Sequence, residues 1–179
     1  MAAGRYDLIL HELTGTTDSF IAVLDGVSPV QWTFQPAPEN WSIAQIAEHT
    51  TAVLRSAQRF LTTKLLQQRL PPDPPGPRVT DEQIVKQMFD RTRRFSAPEM
   101  VQPKGRWATC EELLHAFVES RNTLAQWCGP LTINLREFGA PHPMFGLLDG
   151  IQWMVFIAAH TERHTHQILE LKRVQGFPT

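Results

Sequence analysis

The sequence has little cysteine, almost no net charge and no long apolar run, and each lack removes a class of protein. Its 179 residues include two cysteines, Cys110 and Cys128. Two thiols are too few for a disulfide scaffold, and their spacing fits no zinc finger. Free thiols suit a reducing cytosol. The formal net charge is −1, so no overall field draws nucleic acid or an anionic membrane surface. No stretch approaches the roughly 18 apolar residues of a membrane span; the most apolar, residues 153–159, is far shorter. The start, Met1-Ala2-Ala3-Gly4-Arg5-Tyr6-Asp7, puts no long apolar stretch behind a basic segment, so no signal peptide is expected. Internal repeats and useful strand-like alternation are missing too. What remains is the expectation of a cytoplasmic protein with no nucleic-acid or membrane partner, one domain over residues 1–179.

Helical signals dominate what is present. Leu10, Leu13, Thr17, Phe20 and Leu24 recur at spacings of three and four, predicting a first helix over residues 5–24, with Gly26 as its stop. Ser28-Pro29 can cap a short extra turn. Ser42 with Gln45 forms a capping box, with Trp41 and Ile46 placed for a hydrophobic staple. The helix it starts is expected to run to about residue 70, where the proline-rich segment 71–77 ends it. Thr80 with Gln83 starts a third helix, ending in Arg91, Arg93 and Arg94. Those arginines read as an anion site or as a solvated helix end. Thr109 with Glu112 starts a fourth helix that Gly129-Pro130 stops. Residues 131–145 read as a loop. The last helix begins near Leu148 or Asp149 and ends before Gly176. The pattern predicts an all-α fold, a four-helix bundle with an accessory helix.

The chemistry-bearing residues are histidines. His160 and His164 lie four apart, so they project from one helix face about 40° apart and can grip one ion. Seven histidines in this length give about 0.3 such pairs by chance, so the spacing alone is a weak signal. Context adds to it. Trp153, Phe156 and Ile157 share the face and mark it as buried. Gln167 lies about 20° from His160. Buried imidazoles need partners, and Gln167 could orient a ligand or a bound water. Glu162, about 200° round the helix from His160, points away and is not a base for this site. A third ligand must come from another helix. His49, beside Ile46 and Val53, is core-facing, but its own surroundings fit a hydrogen-bonded core histidine as well as a ligand. His142, in the loop before the last helix, is the reserve ligand or proton-transfer group. His166 is expected in solvent.

Two motifs carry a family resemblance. One is Trp41-Ser42-Ile43-Ala44-Gln45-Ile46-Ala47-Glu48-His49. The other is Asp149-Gly150-Ile151-Gln152-Trp153, leading to His160, His164, Gln167 and Ile168. With these motifs the chain resembles the DinB/YfiT-like superfamily of metal-binding four-helix bundles over nearly its whole length. The resemblance implies one divalent metal ion on His49, His160 and His164, with an open position for water or substrate. Zinc, nickel and iron all accept imidazole. It also implies homodimers in many members. Some relatives are transferases using a low-molecular-weight thiol, and others are hydrolases.

Three readings follow. In the first, the metal activates a thiol or water for S-transfer to, or hydrolysis of, a small molecule. In the second, the protein is a non-enzymatic, metal-dependent small-ligand binder or stress-response protein. In the third, the histidines only hydrogen-bond. No general base is visible beside them: Glu48 points about 100° away from His49, and Asp149 reads as a helix cap. Cys110, just inside a helix start, reads as a dipole-favoured thiolate or as a small apolar residue.

Overall fold

Local capping chemistry sets where most helices begin. A computed structural model of the chain describes residues 6–73, 78–92 and 95–179. Arg5, Pro74, Pro75, Gly76, Pro77, Arg93 and Arg94 lie outside the described residues. Six α-helices are present among those described: α1 (Asp7–Leu24), α2 (Pro29–Thr33), α3 (Ile43–Thr63), α4 (Asp81–Phe89), α5 (Cys110–Cys128) and α6 (Gly150–Leu171). Full capping boxes open α2 (Ser28, Gln31), α3 (Ser42, Gln45), α4 (Thr80, Gln83) and α6 (Asp149, Gln152). Each satisfies two backbone N–H groups that a helix start otherwise leaves unpaired. At α5, Thr109 accepts from the Glu112 N–H, and the Glu112 carboxylate accepts from the Ala108 N–H.

Four helices surround the core. α1 packs on α5 and α6, and α3 packs on the same two helices from the opposite side. Phe20 and Phe117 meet at the centre with ring centroids 4.5 Å apart, among Leu54, Leu61, Leu113 and Leu124, all nearly without exposed surface. α4 is the accessory helix. It packs on the outside of α6 through Ile84 and Met88. No helix among the described residues is long and apolar enough to cross a membrane.

Two local expectations are corrected. The helix from Ser42 stops at Thr63, short of residue 70. A 3-10 turn, Leu65–Gln67, follows, and it buries Leu65. The chain then pairs across the molecule: the Leu70 N–H donates to the Glu137 carbonyl at 2.7 Å, and the Gly139 N–H donates to Gln68 at 2.9 Å. Those distant partners compete with helix continuation and win. The expected loop 131–145 is partly ordered into an antiparallel hairpin, β1 (Gly139–His142) with β2 (Gly146–Asp149). A side chain at Gly139 would put its Cβ 2.4 Å from the Leu148 carbonyl oxygen, so close strand approach requires glycine there. The hairpin runs straight into α6 and carries His142 to that helix's first turns.

Candidate metal centre

α3 and α6 face each other and bring three imidazoles together. His49 comes from the second turn of α3, and His160 and His164 from the middle of α6. All three are buried, and one nitrogen from each lies within 4.8 Å of the others. Ring centroids are 5.1 Å apart for His49–His160, 4.9 Å for His49–His164 and 4.5 Å for His160–His164.

Their hydrogen bonds fix which nitrogens are free. His49 Nδ1 lies 2.9 Å from the Val101 carbonyl oxygen. A carbonyl only accepts, so Nδ1 carries the proton and Nε2 keeps its lone pair. His164 Nδ1 donates in the same way to Gln167 Oε1 at 2.8 Å. No hydrogen bond holds His160 among the described residues; Phe156 packs on it at 5.3 Å. Burial holds His49 below the ordinary histidine pKa, and holds His160 and His164 well below it. The rings are therefore neutral near pH 7, the form that ligates metal. Outward N–H donation to an oxygen is how metal-binding imidazoles are usually oriented. On this donor chemistry the three buried histidines could hold a metal ion.

The set opens on a cavity of about 920 Å³. One wall is α3 with Trp41, whose ring lies 5.0 Å from His49. The opposite wall is α6, with Trp153, Phe156, Arg163 and Gln167; the segment 95–101 and the hairpin complete it.

The remaining expected residues separate clearly. His142 is outside the three-histidine set. It is the last residue of β1, not a loop residue, and its buried ring lies 4.4 Å from Phe156. Burial pushes its pKa down to about 4. Glu162 turns outward, 3.3 Å from the exposed His166. Asp149 caps α6 and pairs with Arg136 at 3.2 Å. Arg91 is engaged by Glu170 at 2.6 Å. Burial raises the Cys110 thiol pKa and takes that of Cys128 up to about 11, opposite to a dipole-favoured thiolate.

Three contributors escape a reading of the sequence. The Glu48 carboxylate turns away from the histidines and accepts from the backbone N–H groups of Lys104, Gly105 and Arg106 at 2.7–3.2 Å. Arg106 donates to Glu48 at 2.7 Å, and also to the carbonyls of Gln102 and Met100. Burial alone would raise the Glu48 pKa, but these donors and the Arg106 charge together take it below the ordinary value. Val101, whose carbonyl orients His49, sits inside the segment this clamp fastens.

A four-helix bundle with three buried imidazoles, from its second long helix and its last, facing a cavity, defines a helical-bundle protein with a candidate metal centre. The chain belongs to the DinB superfamily, whose family model matches residues 12–168. It is 27% identical over 149 residues to the uncharacterized protein YuaE of Bacillus subtilis (strain 168), covering 83% of this chain and 88% of that one. No solved structure matches the chain significantly.

Proposed function

We propose that the protein is a metal-dependent enzyme that binds one divalent ion on His49, His160 and His164 and acts on a small molecule with a thiol or water as nucleophile. The carrying observation is a set of three neutral, buried imidazoles opening on a cavity of about 920 Å³. A structural zinc site is usually closed by a fourth protein ligand, often cysteine; here no fourth His, Cys, Asp or Glu joins the set among the described residues. A bound ion would supply Lewis acidity and lower the pKa of a thiol or water at its open position. His49 and His164 are pre-oriented by Val101 and Gln167.

Transfer from a low-molecular-weight thiol is the reading we place ahead of hydrolysis. Among the described residues no carboxylate joins the three histidines as a general base; of the two carboxylates on the cavity wall, Glu39 lies outside that set and Glu170 is engaged by Arg91. A thiol, more acidic than water, has less need of a base. The test is to measure metal content after purification without chelator, then thiol consumption with a panel of thiols and electrophiles. Wild type should carry about one ion per chain and consume at least one thiol; His160→Ala should do neither. Wild-type protein that stays metal-free after incubation with zinc, nickel and iron would remove the basis of this reading. Full occupancy without turnover of any thiol would leave hydrolysis or simple binding.

A further inference from the structure

One end of the cavity is built from aromatic rings in sequence. Phe60 lies 5.3 Å from Trp153, Trp153 5.0 Å from His142, and His142 4.4 Å from Phe156. Phe156 in turn lies 5.3 Å from His160. This wall therefore runs unbroken from the far end of the cavity to one of the three gathered histidines. The rings cross at steep angles: 68° between His142 and Trp153, 89° between Trp153 and Phe156. Such a box takes a flat apolar group edge-on or face-on.

One donor in this box lacks an acceptor. The Met144 N–H donates to His142 Nδ1 at 3.2 Å. That bond places the proton of the neutral ring on Nε2. The Nε2–H then has no acceptor among the described residues, although His142 is nine-tenths buried and lines the cavity. A buried imidazole N–H normally finds a partner. Trp153 Nε1 also has no hydrogen-bond partner among the described residues, but it has almost no accessible surface, so a molecule in the cavity meets the indole through its ring. The end of β1 thus brings one unanswered N–H to an aromatic box beside His160.

We propose that this end of the cavity binds a planar apolar group carrying a hydrogen-bond acceptor, an aryl carbonyl being the simplest case, with the acceptor held by His142 Nε2–H and the flat group packed against the Trp153 and Phe156 rings. The proposal deepens the reading above by naming the chemical class of its electrophile. It rests on that reading only for what happens to the molecule once bound.

The test needs no turnover. The chain has five tryptophans, so a nitrogen-15-labelled sample gives five indole N–H signals, and Trp153→Phe assigns one of them. Acetophenone and ethylbenzene are then titrated in parallel; they share a shape and differ in the acceptor. Acetophenone should bind about tenfold more tightly, and its ring, packed against the indole, should shift the Trp153 indole signal. His142→Phe keeps a ring and loses the N–H, and should remove most of that preference. The same titration in the His160→Ala chain, stripped of metal, should retain it. That arm separates this proposal from the metal reading. Equal affinities in wild type, no binding of either probe, or an unmoved indole signal at saturation overturns the proposal. So does a preference that disappears in His160→Ala, because the acceptor would then be reading the ion.

Discussion

Arg121 is the residue whose surroundings answer it least. It is 6% exposed at the centre of the bundle. One guanidinium nitrogen donates to Thr161 Oγ1 at 2.6 Å and to Thr16 at 3.4 Å, and the group lies 5.2 Å from the Phe117 ring, while Nε and Nη1 have no hydrogen-bond partner among the described residues. Burial pulls its pKa down to about 9. A buried charge without a counter-charge is costly, and apolar replacements of similar volume often stabilise by about 1–4 kcal/mol. Thr161 would lose little, since its hydroxyl already donates to the Ile157 carbonyl. Arg121→Met should therefore raise the denaturant midpoint at unchanged m-value; a lower midpoint would show that the cation has a partner worth keeping. The same scale shows what could be read from sequence. His160 and His164 were legible because four-residue spacing on an apolar face is local information. His49 was not legible from its neighbours, since an imidazole on an apolar face fits a hydrogen-bonded core position equally; the family resemblance selected it. Glu48 was hidden because its backbone partners lie 56–58 residues further along the chain.

At the scale of elements, the segment around Val101 is a fitted part of the centre, held by a clamp from α3. Glu48 fastens it with four accepted hydrogen bonds, and the next residue, His49, donates to it. Glu48→Gln keeps the shape but puts an amide NH₂ among donors. Leaving buried donors unanswered costs about 1–3 kcal/mol. Because the folded-state pKa of Glu48 is lowered, its stabilisation is complete above the ordinary carboxyl range and is lost as pH falls through the folded value. The stability gap between wild type and Glu48→Gln should be full at pH 7 and shrink in acid, as unfolding curves would report. Loosening the Val101 carbonyl should also weaken metal binding about 10–100-fold, measured by competition with a chelator. A gap constant with pH would mean that the effect is packing alone. Elements themselves were legible wherever a start is encoded within four residues, as at Ser42 with Gln45 or Thr80 with Gln83. The end of α3 and the hairpin were not. The end of α3 gives way to pairing between residues 68–70 and 137–139, and the hairpin's four-residue strands carry too little alternation to be read.

At the scale of the whole molecule, the three histidines join two helices, α3 and α6, that lie far apart in the sequence. α3 and α6 also meet through apolar packing, so an ion bound at the three histidines would add to an interface already made. That predicts linkage of a definite form. A ligand binding only the folded chain stabilises it by about 4 kcal/mol at a thousandfold excess over its dissociation constant. For a chain of this size that is a rise in Tm of about 8–16 °C. Zinc or nickel added to metal-free protein should produce it in a concentration-dependent way, and excess chelator should reverse it. His49→Ala and His160→Ala should each remove most of the shift, from α3 and from α6 respectively. Cys110→Ser should leave it intact, because that thiol belongs to another face of the bundle, beside the cleft between α1 and α5. An equal metal-induced rise in all three variants would place the bound ion elsewhere on the protein. A wild-type chain that melts at the same temperature with and without metal would reduce the three imidazoles to a polar patch between α3 and α6.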